Sequence, residues 1–215
     1  MYKGINIQMT KKERLNIILN FLEKKYKLAK CFLEYEKPYE LLIAAMLSAQ
    51  CTDKMVNIVI KKLFLKYSTF ESFLNASFKE IKKIINPCGL SNKKTEDILS
   101  ITKMLFENFN SKIPNNEKDL LTLPGIGRKT ANLILSEIFN IPTIVVDTHV
   151  IRITNRLNLV NGKNAKKIEE KLLKIIPKKE RKNFCHRVIS FGRDLCSAKK
   201  PLCNICEIKN LCNNI

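Results

Sequence analysis

The sequence predicts an all-α fold, and three observations carry the prediction. Apolar residues recur at helical spacing along most of the 215-residue chain. No stretch alternates for long enough to make a strand; Thr143 to Val146 is the only β-like run, and four residues do not make a sheet. Finally, the turn Leu123-Pro124-Gly125-Ile126-Gly127-Arg128-Lys129-Thr130 lies between two helical segments, so the unit reads as helix–hairpin–helix.

In chain order, Arg14 to Tyr26 is amphipathic, with Leu15, Ile18, Leu19 and Leu22 on one face. Tyr39 to Gln50 is apolar nearly all round and is expected to be buried. Thr52 or Asp53 caps the next helix, which runs to about Tyr67. Phe78 to Ile85 and Lys94 to Phe109 follow. Asn116 to Leu121 carries acids early and leucines late, as a short helix does. Arg128 to Phe139 is periodic and free of Gly and Pro. An apolar run then delivers Asp147 to the start of a helix through Ile151, Ile153 and Leu157. Asn164 to Ile176 and Glu180 to Phe191 complete the set. There is no internal repeat and no low-complexity linker, and the length allows one large domain or two small ones.

Lys+Arg total 39 against 20 Asp+Glu, a net charge of +19, which is the footprint of a polyanion binder. Only 7 of the 39 are arginines, and Asn and Ile abound, so part of the charge reflects an AT-biased genome. No apolar stretch is long enough to span a bilayer or to form a signal core, and a cytoplasmic protein is expected. Of eight cysteines, Cys31, Cys51, Cys88 and Cys185 are scattered, and Cys185 reads as core. The other four are bunched as Cys196-x6-Cys203-x2-Cys206-x5-Cys212, a tetrathiolate metal site in a reducing compartment. Zinc and an iron–sulfur cluster both accept four thiolates, and the spacing does not choose between them.

The hairpin has its own chemistry. The second helix's N-terminus presents backbone NH groups that bind a phosphate oxygen without reading sequence. A nucleotide-hydrolase phosphate loop is excluded, because that motif needs four residues between its glycines and Gly-Lys adjacent, whereas Arg128 separates Gly127 from Lys129. Lys129 falls in the first turn, where the helix dipole disfavours a cation; it is either a phosphate-binding lysine or an amine nucleophile capable of a Schiff base. Asp147 is placed to N-cap its helix, which by itself would explain the residue. His149 reads equally as a packed residue or a catalytic one. Gln50, in Ser48-Ala49-Gln50-Cys51-Thr52-Asp53, reads as a solvated helix end. Leu90, just after Gly89, reads as a loop residue folding back onto the core.

LPGIGRKTAN, then Asp147 in VVDTHV, then C-x6-C-x2-C-x5-C, preceded by ELLIAAMLSAQCTD and GLSNKK, resembles the bacterial endonuclease III family. The likeness runs from about Glu13 to Cys212; Cys51 and Ser91 are small departures within it. The resemblance implies a bifunctional DNA glycosylase and abasic-site lyase of the helix–hairpin–helix superfamily, acting in base excision repair on oxidised pyrimidines. It implies Lys129 as the Schiff-base nucleophile, Asp147 as the catalytic carboxylate, and Cys196, Cys203, Cys206 and Cys212 as ligands of a [4Fe-4S] cluster. Gln50 and Leu90 would enter the duplex where the damaged base has left. Gly125, Gly127 and Arg128 of the hairpin, with Lys199 and Lys200 of the cysteine loop, would grip DNA phosphates. It also implies a six-helix barrel over residues 32–141 and a discontinuous cluster domain of residues 1–31 and 142–215, with the active cleft between them. The partner would be double-stranded DNA holding damaged pyrimidines or abasic sites, met by a monomer at the nucleoid. The competing expectation is a non-catalytic helix–hairpin–helix DNA-binding protein with a structural metal site.

Overall fold

The computed structural model describes residues 9–213, which fall into two compact units. One is Cys31–Thr143; the other joins the chain before Cys31 to the chain after Thr143. Among the described residues every regular element is helical and none is a strand, as the sequence predicts. The helices are α1 (Lys11–Lys25), α2 (Pro38–Leu47), α3 (Asp53–Lys66), α4 (Phe78–Ile85) and α5 (Ser91–Phe109). They continue with α6 (Glu117–Leu120), α7 (Arg128–Phe139), α8 (Thr148–Arg156), α9 (Ala165–Ile175) and α10 (Arg181–Asp194). Short 3-10 turns occur among the connections, at Glu71–Phe73 and Cys203–Ile205 for example.

The continuous unit is built around α2. Every residue from Glu40 to Leu47 is buried, which is why this stretch is apolar all round rather than on one face. Val56, Val59, Ile60 and Leu63 of α3, Ile81 and Ile85 of α4, and Ile98, Ile101 and Leu105 of α5 pack into the same core. Leu123, Ile126, Ala131, Ile134 and Leu135 add the hairpin and α7. A buried side chain of this size contributes about 1.5–3 kcal/mol. Tyr39, Phe64, Tyr67, Phe70 and Phe73 close one side through edge-on ring contacts of 5.9–6.4 Å and a tilted Tyr67–Phe73 pair at 5.0 Å.

In the discontinuous unit, α1 buries Leu15, Ile18, Phe21 and Leu22, and Phe21 meets Phe191 of α10 edge-on at 5.4 Å. Cys185 is buried, as expected, and its sulfur accepts a hydrogen bond from Val145 N at 3.3 Å.

Four boundaries differ from the sequence reading, each for a local reason. α1 begins at Lys11 rather than Arg14, because Thr10 and Glu13 form a reciprocal capping box. α2 stops at Leu47, three residues short of Gln50: Ser48 turns its hydroxyl back to Ala45 O at 2.7 Å, and Gln50 adopts φ 55°. α5 begins at Ser91 rather than Lys94, since left-handed Leu90 turns the chain directly into the helix. α10 runs to Asp194, where Leu195 N still bonds to Phe191 O at 3.0 Å.

Candidate active site and cysteine centre

The hairpin is anchored from below by buried Leu123 and Ile126, whose backbones close a turn, Ile126 N to Leu123 O, at 3.2 Å. Its two glycines are glycine for different reasons. Gly125 has φ 71°, and a Cβ there would lie 2.9 Å from Asp97 Oδ2 and 3.2 Å from Met46 Cγ, so the turn is pressed onto α5 and α2. Gly127 is extended and exposed, and a Cβ on it would meet nothing within 4 Å. The fold therefore requires Gly125, whereas Gly127 leaves an open approach for a ligand to the helix end. Gly127 also has no side chain with which to cap α7, so the helix N-terminus is left to an external acceptor. Gly125→Ala is expected to cost roughly 2–4 kcal/mol, from positive φ and overpacking together. Gly127→Ala should stay within about 1 kcal/mol of the parent yet weaken duplex binding. Thermal melts beside gel-shift titrations check both.

Arg128 and Lys129 open α7, and the structure separates their roles. The Arg128 guanidinium is tied to Glu117 of α6, Nη1 to Oε1 at 2.6 Å, so it staples the two helices of the hairpin. Lys129 is exposed and makes no hydrogen bond or ion pair among the described residues. Its amine is available for chemistry or for a phosphate, while its neighbour's is spent on structure.

Asp147 is the N-cap of α8, half-buried, and its Oδ1 accepts from Val150 N at 2.8 Å. His149 resolves toward packing. Its Nδ1 stands 3.1 Å from Arg152 Nη2 and fills the space over Gly192, where a Cβ would come within 2.6 Å of it. Burial first, then the Arg152 and Arg193 charges, push its pKa below the ordinary histidine value, against Asp147, which pulls it up.

Gln50 and Leu90 are both exposed and both left-handed, at φ 55° and φ 49°. Leu90 is 57 % exposed rather than folded back onto the core, which corrects the expectation from the sequence. Gln50 and Leu90 share this left-handed region, which favours glycine, with Asn110, Ser111, Asn140 and Asn158 among the described residues.

Cys196, Cys203, Cys206 and Cys212 line one cavity together with apolar Leu157, Phe191, Leu195 and Ile208 and basic Arg156 and Lys209. Among the described residues no three His, Cys, Asp or Glu side chains are drawn in around a single ion. Four thiols are the donor set of a soft metal centre. Burial raises the Cys206 thiol, the Ile208 N–H lowers it, and the other three cysteines raise it again, so the four sulfurs disfavour one another's charge unless a cationic centre lies among them.

Sequence reasoning missed what holds this loop. Arg152, four residues before Arg156 on α8, donates through Nη2 to Gly192 O at 2.9 Å and through Nε and Nη2 to Cys196 O at 3.2 and 3.0 Å. Arg156 Nη1 donates to Cys196 Sγ at 3.2 Å and Ser197 O at 2.8 Å, and Nη2 to Ala198 O at 3.0 Å. Arg14 closes the far end on Leu211 O at 2.7 Å. In a chain so rich in lysine, the seven arginines were the available signal, because a rigid fork of donors is where Lys cannot substitute. Lys199 and Lys200 sit at the exposed tip of the loop.

The family model described as HhH-GPD superfamily base excision DNA repair protein matches residues 43–178. The Rickettsia felis protein named Endonuclease III is 42% identical over 198 residues, covering 92% of this chain and 93% of its own. The chain belongs to the endonuclease III family. Among solved structures, a non-covalent endonuclease III–DNA complex matches with TM-score 0.90 and 40% identity over 96% of both chains. A trapped endonuclease III–DNA covalent intermediate matches with the same score and identity, over 96% of this chain and 97% of that one.

Proposed function

We propose that this endonuclease III family member removes oxidised pyrimidines from duplex DNA and cuts the strand at the resulting abasic site through Lys129. The observation that carries the reading is Lys129 itself: exposed, with no partner among the described residues, on the first turn of a helix whose N-cap, Gly127, makes no side-chain cap. The amine attacks C1′ of the damaged nucleotide as the base departs with the bonding electrons. Asp147 assists by drawing a proton from the lysine and steadying positive charge on the sugar. The sugar ring then opens, the C1′–O4′ bond breaking as O4′ takes a proton, which gives an imine. The imine acidifies the C2′ proton, and β-elimination expels the 3′ phosphate and breaks the strand on the 3′ side. To reach this chemistry the damaged base leaves the stack, and Gln50 and Leu90 fill the gap it vacates.

Cys196, Cys203, Cys206 and Cys212 would hold a [4Fe-4S] cluster, which supplies a cross-link for a loop otherwise poor in apolar side chains. Arg156 would donate to the Cys196 ligand, and Arg152 would fix its backbone. The loop then presents Lys199 and Lys200 to phosphates. Lys199→Ala with Lys200→Ala is expected to weaken binding of damaged and undamaged duplex by similar factors and to lower the salt slope by roughly 1–2 units. A loss confined to damaged DNA would move the loop into the lesion pocket.

The test of the whole reading is a duplex with one thymine glycol. Free base and a break 3′ to the site, from one monomeric preparation, are expected. Tight binding with neither product would favour the non-catalytic DNA-binding alternative.

A further inference from the structure

Lys94 sits on the buried stripe of α5, one turn before Ile98, and is 4% exposed. Its ammonium donates to Leu47 O at 2.9 Å, Ala49 O at 2.8 Å and Cys88 O at 2.9 Å. An ammonium has three protons, and here each meets a carbonyl. The acceptors belong to two separate loops. Leu47 and Ala49 lead into Gln50, and Cys88 leads through Gly89 into Leu90. Both loop tips are left-handed and exposed, each next to a cysteine, Cys51 or Cys88, that packs at the core.

We infer that Lys94 is a positioning residue that sets Gln50 and Leu90 in register with each other, so that both enter the duplex together. The inference rests on the role proposed above for those two residues. The Ser48 and Ser91 hydroxyls bond within their own segments, to Ala45 O and Asn86 Oδ1, whereas Lys94 bridges the two, beside a side-chain hydrogen bond between Cys51 and Cys88. Removing the ammonium leaves three carbonyls to find other partners and frees the tips to move independently. Misplacement by about 1 Å at such a site can cost on the order of 100-fold in rate.

The test is Lys94→Met, which keeps the stem and removes the donors, with Lys94→Gln as the second variant. Base release from a lesion duplex in single turnover should fall by about 10- to 100-fold. Borohydride trapping on a single-stranded abasic oligonucleotide, where no gap needs filling, should stay within about 2-fold of the parent. A 2-aminopurine opposite the lesion should lose the fluorescence rise that accompanies its unstacking. In a Gln50→Ala, Leu90→Ala background, Lys94→Met should add little further loss, since the groups it positions are gone. Equal losses on duplex and single strand, full additivity with the loop variants, or failure of both Lys94 variants to fold would each overturn the inference. A parent protein that neither releases base nor traps would instead overturn the proposed function.

Discussion

Replacing Asp147 with Asn should cut base release at least about 100-fold while leaving the protein nearly as stable as the parent. The structure makes this substitution discriminating. Asp147 caps α8 through one oxygen, Oδ1, on Val150 N–H at 2.8 Å. An asparagine oxygen accepts the same bond nearly as well, so stability should stay within about 1 kcal/mol. What Asn removes is the negative charge that would draw a proton from Lys129 and steady a cationic sugar. Strand cleavage at a ready-made abasic site should suffer less, because the ring-opened aldehyde takes an amine with no base to expel. Asp147→Ala should add a folding loss of about 0.5–2 kcal/mol to the same catalytic defect. Single-turnover glycosylase assays beside thermal melts decide the matter. An Asn variant with parental activity, next to an Ala variant that merely melts early, would leave Asp147 as a cap and nothing more.

Lys129→Ala should abolish lyase activity and leave the fold and the duplex affinity largely intact. The side chain is exposed and makes no hydrogen bond or ion pair among the described residues, so the stability change should be within about 0.5 kcal/mol. Removing a cation from the first turn of α7 slightly favours the helix, which offsets any lost packing of the stem. Binding persists because the helix end, Gly127 and the distant lysines remain. Melting curves, gel shifts and strand-cleavage assays on the same preparation check the three parts. A variant that still cleaves abasic duplex at the parental rate would remove Lys129 from the chemistry.

The helices and the candidate site were legible for the same reason: both are written in local sequence. Apolar spacing places α3, α4 and α7 almost to the residue, and Asp147 announces itself as a cap by standing between an extended run and a periodic one. The cysteine spacing brings four sulfurs to one cavity, a local pattern over seventeen residues. What the sequence withheld depends on contacts between distant segments. Lys94 looks like one more solvated lysine in NKKTED, and only the continuation of the Ile98, Ile101 and Leu105 stripe back by one turn hints that it is buried. Arg152 and Arg156 serve backbone carbonyls some forty residues away, and no local pattern records that. Gly125 and Gly127 look alike in PGIG, yet a Cβ on the first would press on Asp97 beneath it, whereas one on the second would meet nothing within 4 Å among the described residues. The left-handed turns at Gln50 and Leu90 were hidden because neither residue type favours that conformation.

The central claim is that Lys129 forms a covalent imine with the damaged nucleotide, and borohydride trapping tests it most directly. Reduction of the imine during reaction with an abasic duplex should yield a stable one-to-one protein–DNA adduct, and peptide mapping should place the DNA on Lys129. Lys129→Ala should give no adduct under the same conditions. An adduct mapped to another amine, or one of undiminished yield from Lys129→Ala, would contradict the account.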